Sequence, residues 1–138
     1  MTVLEARDLY LAANGYSTAA YTDPKFAIPV AGIRIRLPNP GLLHLHDLHH
    51  VVTGYDNSLV GEGEISAFEL RGGCGKPLVG FLCVSSIAIA LLLSPRRIWR
   101  AWRRARGTRS LYSGKFNYEE LLTMDVAALR QLVGLEKP

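Results

Sequence analysis

Asn39-Pro-Gly-Leu-Leu-His-Leu-His-Asp-Leu-His-His-Val-Val-Thr-Gly54 contains all four histidines of this 138-residue chain between two helix-terminating signals. Asparagine followed by proline is typical of a helix N-cap and a first helical position, where the amide hydrogen that proline lacks has no partner. The closing Thr-Gly pair predicts the helix end, because glycine readily adopts the left-handed conformation of a C-cap. The stretch therefore predicts one helix, from about residue 40 to 53, that carries every imidazole of the chain.

Two of these histidines have the spacing of a metal site. His46 and His50 are four residues apart, so on a helix their side chains lie on the same face. Imidazole pairs at this spacing bind divalent ions, and a carboxylate from a neighbouring helix can complete the set. Glu62 is the candidate carboxylate, because a polar turn near Asp56 would return a second helix antiparallel to the first. Glu69, two turns beyond Glu62, is expected to line the same groove.

The other polar residues of the stretch admit several roles. Asp47 can orient a histidine, bind the ion or act as a base. His44 and His49 fit no ligand geometry, and we expect them at the surface or behind the ligands. An alternative explanation needs no ion at all: the histidines form a solvated polar face, and the apolar residues between them pack inward.

Helix signals also occur on both sides of this stretch. Thr2-Val-Leu-Glu5 has the pattern of a capping box, in which a hydroxyl and a carboxylate satisfy each other's helix-end amides. Glycines and prolines mark the remaining boundaries. The predicted helices are, approximately, 2–14, 40–53, 58–71, 77–93, 95–107 and 118–134. Residues 22–39 contain three prolines and short β-branched runs, so they are predicted to be irregular or briefly extended.

These elements predict an all-α fold. Its centre is expected to be a helical hairpin formed by residues 40–53 and 58–71, and the segments 77–93 and 95–107 form a membrane-facing pair of one apolar and one amphipathic helix. At 15.2 kDa the chain is expected to be a single compact helical domain over residues 1–138. Its two cysteines form no CxxC motif, which argues against a zinc knuckle or a disulfide framework.

Charge is distributed unevenly along the chain. The window from Leu70 to Tyr118 carries ten lysines or arginines and no acidic residue. The rest of the chain holds the other six basic residues against all twelve acidic ones. One part of the molecule is therefore predicted to meet anions.

Residues 77–93 are apolar or small without interruption. The run is a little short of the about 20 residues that a spanning helix requires. Three interpretations stay open: a membrane-embedded or lipid-lining helix, a buried core helix, and a span. We favour the first, because small side chains such as Gly80, Cys83 and Ser85 leave room beside the helix for a prenyl chain.

The segment 95–107 has the pattern of an interfacial helix. Ile98, Ala101, Trp102 and Ala105 share one face, and arginines occupy most of the remainder. Tryptophan favours the headgroup layer, and each basic residue near an anionic leaflet adds about 1 kcal/mol of binding free energy. A solvated cationic helix is the alternative, and nucleic-acid binding is not expected, because no DNA- or RNA-binding fold signature accompanies the arginines. The predicted membrane-contacting or lipid-contacting residues are Arg96, Trp99, Arg100, Trp102 and Arg103.

The spaced motif His46-Asp47-x-x-His50, followed by eleven residues and Glu62, resembles the signature of the coenzyme Q biosynthesis protein 4 family. The likeness covers roughly residues 38–135. Its other parts are His46-Asp-Leu-His-His-Val-Val-Thr-Gly-Tyr55, Gly61-Glu62, Tyr118-Glu-Glu-Leu-Leu and Val126-x-x-Leu-Arg130.

This resemblance implies an all-helical protein that is peripheral to the membrane where ubiquinone is made. By position it makes His46, Asp47, His50 and Glu62 the ligands of a divalent ion, expected to be zinc, and it makes Asp47 and Glu62 the catalytic residues. The implied activity is oxidative removal of the ring carboxyl group from a prenylated hydroxybenzoate-type lipid, together with organisation of the other quinone-biosynthesis enzymes. Another quinone or isoprenoid lipid stays open as the ligand, since the arginine-rich segment is unusually dense for the family.

Two rival functions remain open. One is a non-catalytic scaffold that presents a prenylated lipid to partner enzymes. The other is a zinc hydrolase, because HDxxH with a downstream glutamate is similar to the HExxH arrangement, with Asp47 as the base. Aspartate reaches less far than glutamate, which counts against the hydrolase.

The start of the chain bears on where the protein is located in the cell. Residues 1–15 contain Glu5 and Asp8 with a single arginine, which suits neither a signal peptide nor a transit peptide. We therefore expect the cytoplasmic face of a bacterial inner membrane, or the matrix side of the mitochondrial inner membrane in a eukaryote. A homodimer is left open.

Overall fold

The computed structural model describes residues 1–30 and 32–136, which are mainly helical. In chain order the elements are α1 (Val3–Asn14), a 3-10 turn (Thr18–Tyr21), β1 (Lys25–Val30), β2 (Ile33–Pro38), α2 (Leu43–Thr53), α3 (Leu59–Gly72), α4 (Pro77–Leu93), α5 (Pro95–Arg104), a second 3-10 turn (Leu111–Ser113), α6 (Tyr118–Thr123) and α7 (Val126–Leu132). Three residues covered by the predictions lie outside the described ones: Ala31, in the segment 22–39, and Lys137 and Pro138, in the domain 1–138. The single domain itself stays a prediction.

The all-α prediction is wrong in one segment, because β1 and β2 form a two-stranded antiparallel sheet. Lys25 lies opposite Pro38, and Val30 lies opposite Ile33 at the other end of the ladder. A sheet of two strands has only edges, where a proline that cannot donate a hydrogen bond is tolerated. The brief extension predicted for residues 22–39 is thus confirmed, in the form of a hairpin.

The predicted start of the histidine-bearing helix is also wrong, since α2 begins three residues later than expected. Asn39 is not its N-cap: the side-chain N–H of Asn39 donates to the carbonyl of Asp23 at 2.7 Å, and its side-chain oxygen accepts from the N–H of Gly41 at 2.8 Å. Gly41 has a φ of 73°, a left-handed conformation that cannot lie within an α-helix. Asn39 therefore closes the base of the β-hairpin.

Most other helix boundaries are confirmed. The capping box at the start of α1 is present, with the backbone N–H of Thr2 donating to the Glu5 carboxylate at 2.8 Å and the N–H of Glu5 donating to the Thr2 hydroxyl at 3.2 Å. Gly54 ends α2 in the left-handed conformation, and Ser58 caps α3. The apolar run forms α4 over the predicted residues.

The segment 118–134 is two helices rather than the single predicted one. Met124 between them is extended, because its carbonyl accepts from the N–H of Val3 at 2.8 Å. Asp125 then caps α7 by accepting from the N–H of Ala127. Backbone pairing with the start of the chain therefore breaks the helix and ties α1 to α6 and α7.

The hydrophobic core lies among α1, α2, α3, α6 and α7. Leu48 and Val52 of α2 are wholly buried in it and pack with the aromatic ring of Phe68 from α3. The other buried members are Val3, Ala105, Leu111, Leu121, Leu122, Leu129 and Val133. This packing fixes the apolar face of α2, so the face that carries the histidines has a defined direction.

A second contact layer joins α3 to α4 and α5 at Gly63. A β-carbon added to Gly63 would lie 2.2 Å from the β-carbon of Ala90 and 3.0 Å from the δ-carbon of Ile98, so only glycine permits this approach. One residue on, the Glu64 carboxylate accepts two hydrogen bonds from the Arg97 guanidinium, at 2.6 and 3.0 Å. Both contacts fix the turn of α3 that carries Glu62, the predicted carboxylate ligand, against α4 and α5.

None of the helices within the described residues is both long enough and apolar enough to cross a membrane. α4 nevertheless presents exposed apolar side chains on the side turned away from α3. Phe81 is 69% exposed and Leu92 is 88% exposed, whereas Cys83 and Ala90 are buried. α4 thus covers the core with one face and leaves the other without a partner among the described residues.

Substitution of Gly63 by alanine is expected to lower the free energy of unfolding. The overpacking against Ala90 should cost about 1–3 kcal/mol, which outweighs the gain of about 1 kcal/mol in helix propensity. Urea unfolding followed by circular dichroism measures the change. Gly80→Ala in α4 is the matched control, because its new β-carbon would meet only the Cys74 sulfur, at 3.3 Å. Equal stability of the two variants would contradict the close helix approach.

Candidate metal centre

α2 and α3 bring His46, His50 and Glu62 together, and these are the side chains whose ligand atoms are grouped for a metal ion. Nε2 of His46 lies 3.2 Å from Oε2 of Glu62, and Nε2 of His50 lies 3.2 Å from Oε1. The two Nε2 atoms are themselves 3.2 Å apart. A tetrahedral zinc ion with bonds of about 2.0 Å holds its ligand atoms about 3.3 Å apart. The donor set and its spacing therefore fit such an ion.

Each histidine is held at its other ring nitrogen by a group that can only accept a hydrogen bond. Nδ1–H of His46 donates to the Glu69 carboxylate at 2.7 Å, and Nδ1–H of His50 donates to the backbone carbonyl of Tyr55 at 2.9 Å. With the hydrogen fixed on Nδ1, the Nε2 lone pair of the neutral ring is left for a ligand. Anchoring of this kind orients imidazoles in metal sites and makes them more basic.

Glu69 was predicted to line the groove, and the structure places it behind the histidines instead. The residue is 2% exposed. Its Oε1 accepts from His46, from Nδ1–H of His49 at 2.8 Å and from the hydroxyl of Tyr112 at 2.8 Å, while the Cys83 thiol lies 3.5 Å from Oε2. Burial opposes ionisation, but the charge of His46 and these hydrogen bonds hold the pKa of Glu69 far below its usual range.

His49 lies behind the ligands, which is one of its two expected positions. It is fully buried. Nδ1–H donates to Glu69, and Nε2 accepts from the backbone N–H of Leu111 at 2.9 Å. Both ring nitrogens are thus used by the neutral form, and burial lowers the pKa of His49 below its ordinary value. The alternative of a solvated histidine face is therefore wrong for this side of α2.

Asp47 lies outside the group of three ligand side chains formed by the described residues. The hydroxyl of Tyr21 donates to its Oδ2 at 2.6 Å. Burial raises the pKa of Asp47, although the bond from Tyr21 and the nearby histidines act in the opposite direction. This environment suits a proton acceptor, while the role of Asp47 as an ion ligand stays a prediction.

Aromatic residues that the sequence did not single out cover the histidines. The ring of Tyr10 from α1 stacks on His50, with centroids 5.0 Å apart and planes 18° apart. His44 meets the ring of Tyr118 edge to face at 4.8 Å, so it lies in this aromatic cover and not among the ligands. Segments distant in sequence thus complete the surroundings of the site.

The imidazolium of His46 balances part of the negative charge of the Glu62 and Glu69 carboxylates. Burial disfavours its imidazolium, but the adjacent Glu69 and Glu62 carboxylates raise the pKa of His46 well above 6.5. Burial likewise opposes the charge of Glu62, yet the adjacent imidazoles of His46 and His50 lower the pKa of Glu62 to about 2. A proton on His46 therefore occupies the electrostatic position that a cation would take.

The residues predicted to contact a membrane lie on α5, but the apolar face of that helix is used differently than expected. Ile98, Ala101 and Ala105 are buried against the protein, so they are not free for lipid. Trp99 is 62% exposed, whereas Trp102 is half-buried. Arg96, Arg100 and Arg103 are exposed, and their contact with a membrane stays a prediction. The exposed apolar residues of this region belong to α4 instead.

The chain is similar in sequence to a known protein. The chain is 30% identical over 95 residues to the ubiquinone biosynthesis protein coq4, mitochondrial, of Aspergillus niger. The match covers 67% of this chain but 32% of the relative, so the chain spans about a third of that protein. No family model and no solved structure matches the chain.

The metal-free protein is expected to be most stable near pH 6.5. His46 has a raised pKa when folded, so its contribution is complete below 6.5 and is lost as the pH rises through the folded value. His49 has a lowered pKa, so its contribution is complete above 6.5 and is lost as the pH falls through the folded value. Glu62 adds a further loss below 4.5, which is complete near pH 2.

Urea-unfolding midpoints of chelator-treated protein across acid, neutral and alkaline pH measure this profile. Added zinc should restore stability on the alkaline side, because an ion then takes the place of the His46 proton. A midpoint that keeps rising from neutral into alkaline pH without metal would refute the charge balance.

Glu69→Gln is expected to weaken zinc binding by about 10-fold to 100-fold. The amide oxygen can still accept from His46, but the charge that supports the imidazole is lost. Glu62→Gln removes a ligand and should lose stoichiometric binding. Competition with a chromophoric chelator measures both affinities. Glu64→Gln, a buried charge change on the same helix, is the control and should leave zinc affinity unchanged even if stability falls. Equal affinities of the Glu69 and Glu64 variants would contradict the role of Glu69.

Proposed function

We propose that this chain is a metal-dependent protein of ubiquinone biosynthesis that acts on a prenylated quinone precursor at a membrane surface. The observation that carries the proposal is the pair of anchored imidazoles, whose Nε2 atoms meet the Glu62 carboxylate at 3.2 Å. The spaced motif and the similarity to a ubiquinone biosynthesis protein support the same pathway. Since the chain spans about a third of that relative, activity, substrate and partners are all part of the proposal.

His46, His50 and Glu62 would hold the ion. The motif implies Asp47 as a further ligand, but Asp47 lies outside this group, so we propose it as the base instead. Two imidazole nitrogens and a carboxylate suit zinc. When bound, a divalent ion of this kind supplies Lewis acidity toward a carboxylate or phenolate oxygen. Glu69 keeps His46 oriented throughout, and Tyr10 shields His50 from water.

Asp47 and Glu62 are the proposed catalytic residues. Tyr21 occupies Oδ2 of Asp47, so Oδ1 remains to accept a proton from a ring hydroxyl. Burial raises the pKa of Asp47, which makes it a stronger base than an exposed aspartate. Glu62 would act on the substrate through the ion that it helps to hold, because both of its oxygens face histidine nitrogens and its low pKa makes it a weak proton acceptor.

The proposed reaction is oxidative decarboxylation of the aromatic ring. In net terms the ring carboxyl leaves as CO2, a hydroxyl takes its place, and two electrons pass to an external acceptor. With water as the source of the hydroxyl, two protons are released. The proposed acceptor of the two electrons is dioxygen. Proton removal by Asp47 would place negative charge on the ring oxygen, where a bound divalent ion would stabilise it.

The lipid tail and the membrane would meet the α4 and α5 side of the molecule. Phe81, Val84 and Leu92 form an exposed apolar face, and the arginines of α5 flank it. Apolar side chains beside cationic ones are the combination that binds an anionic leaflet without a span. We propose peripheral attachment to the bacterial inner membrane on its cytoplasmic face, or to the mitochondrial inner membrane on its matrix side.

A second candidate function is a scaffold that presents the prenylated lipid to other quinone-biosynthesis enzymes without chemistry of its own. The unpartnered face of α4 favours it, since that face needs lipid, a second copy or another enzyme to cover it. The zinc hydrolase is less favoured, because it depends on the likeness of HDxxH to HExxH, and aspartate reaches less far toward a metal-bound water than glutamate does.

His50→Ala is expected to lose the bound ion while His44→Ala keeps it. His50 supplies a ligand nitrogen, whereas His44 lies among aromatic rings outside the cluster. Elemental analysis of protein purified in mild detergent measures the metal, and native mass spectrometry of the same samples measures bound prenyl lipid. Wild type should carry about one divalent ion per chain.

Turnover of a prenylated hydroxybenzoate by the metal-loaded protein separates the two functions. Loss of both ion and turnover in His50→Ala, with lipid retained, agrees with the enzyme. Lipid retained by wild type and both variants, with no ion in any of them, would reject the metal centre and leave the scaffold.

A further inference from the structure

A groove of about 420 Å³ lies between the end of α3 and the second half of α5, and it shares no residue with the metal centre. Its walls consist of three arginines and two tryptophans. The lining residues are Arg71, Trp99, Trp102, Arg103 and Arg106. Both tryptophans of the chain are therefore in this one groove.

The three arginines of the groove have no ion-pair partner among the described residues. The ion pairs formed within residues 1–30 and 32–136 include none to Arg71, Arg103 or Arg106. The sequence from Leu70 to Tyr118 contains no acidic residue that could reach them locally. Three guanidinium groups beside one groove repel each other unless an anion lies between them.

Arg71 is held in a fixed position at the base of this groove. Its guanidinium lies over the ring of Trp102, 4.9 Å from the centroid, and one of its terminal nitrogens donates to the Trp102 carbonyl at 2.5 Å. A guanidinium has five N–H donors in a planar fork, so most of them remain for a ligand. Because stacking has already ordered the side chain, less conformational entropy is lost when an anion binds.

We propose that this groove is a phosphate-binding site, and that its physiological ligand is the phosphate of an anionic membrane lipid. Arginine forks match phosphate oxygens in pairs, which distinguishes phosphate from chloride. The indole walls select the lipid source, since tryptophan settles at the headgroup layer of a bilayer. The exposed apolar residues of α4, which directly precedes α5, would then lie on the acyl side of the same leaflet.

This inference deepens the membrane contact in the proposed function and rests on that part of it. It assigns the attraction to the membrane to one site of defined residues, and not to the positive charge of α5 as a whole. The metal centre is not involved, so loss of phosphate binding and loss of the ion are separate results.

Intrinsic tryptophan fluorescence tests the proposal, because both indoles of the chain report on the groove alone. The probes are inorganic phosphate added at constant ionic strength, and vesicles of phosphatidylcholine with or without phosphatidylglycerol. The groove variant is Arg103→Gln with Arg106→Gln. The matched control is Arg96→Gln with Arg100→Gln, which removes the same charge from the same segment outside the groove.

The expected result is that wild type and control respond to phosphate and to phosphatidylglycerol vesicles, while the groove variant binds those vesicles about tenfold more weakly than the control. Competition between phosphate and the vesicles identifies one shared site. A vesicle response without a phosphate response also supports the site and shows that it requires a lipid headgroup. If the groove variant and the control lose vesicle binding equally, the attraction is diffuse and the proposal is overturned.

Discussion

One buried carboxylate constrains the arrangement of this molecule more than any other group. Glu69 is almost inaccessible to water, and an ionised carboxylate in such a position is costly unless it is fully hydrogen-bonded. The fold supplies that bonding from three places: two histidines of α2, a tyrosine of the 3-10 turn at Leu111–Ser113, and a cysteine of α4. Elements far apart in sequence must therefore assemble together if the charge is to be buried. The same requirement that organises the fold also aligns the histidines.

Hydrogen bonds that begin at Glu69 orient the side chains of the candidate metal centre. Glu69 fixes the hydrogen of His46 on Nδ1, which turns Nε2 toward Glu62 and His50. The Tyr55 carbonyl does the same for His50 at the end of α2. Two carboxylates then face one imidazolium with a single positive charge, and a divalent cation would balance their charge more completely. The cluster that could hold an ion is thus the outer end of a hydrogen-bond network whose inner end, Glu69, supports the fold.

The sequence predicted the outer end of this network, which is His46, His50 and Glu62, better than the buried contacts around Glu69. HxxxH spacing and helix caps are local signals, so the pairing of His46 with His50, the C-terminal end of α2 and both ends of α3 were predicted, and Glu62 followed from the length of the turn. The β-hairpin and the role of Asn39 were missed, because Asn39 bonds to residues that only the folded loop brings near. His49 had a usable signal: it lies on the stripe of Leu48 and Val52, which helical periodicity assigns to the core. Its partner Leu111 lies 62 residues away, beyond the reach of any local pattern.

The basic half of the chain shows why amphipathic periodicity alone does not identify a membrane helix. The stripe of α5 is apolar because it packs on α3 and α4, which is what the same pattern means in an ordinary core. α4 has the opposite property, since its sequence is apolar all round while only one side of it is covered. Its exposed Phe81 and Val84 flank the buried Cys83, whose thiol meets Glu69. One helix therefore has lipid-compatible side chains on its outer face and a contact with the central carboxylate on its inner face. The exposed face of α4 and the histidines of α2 are therefore connected through Cys83 and Glu69, although no residue belongs to both.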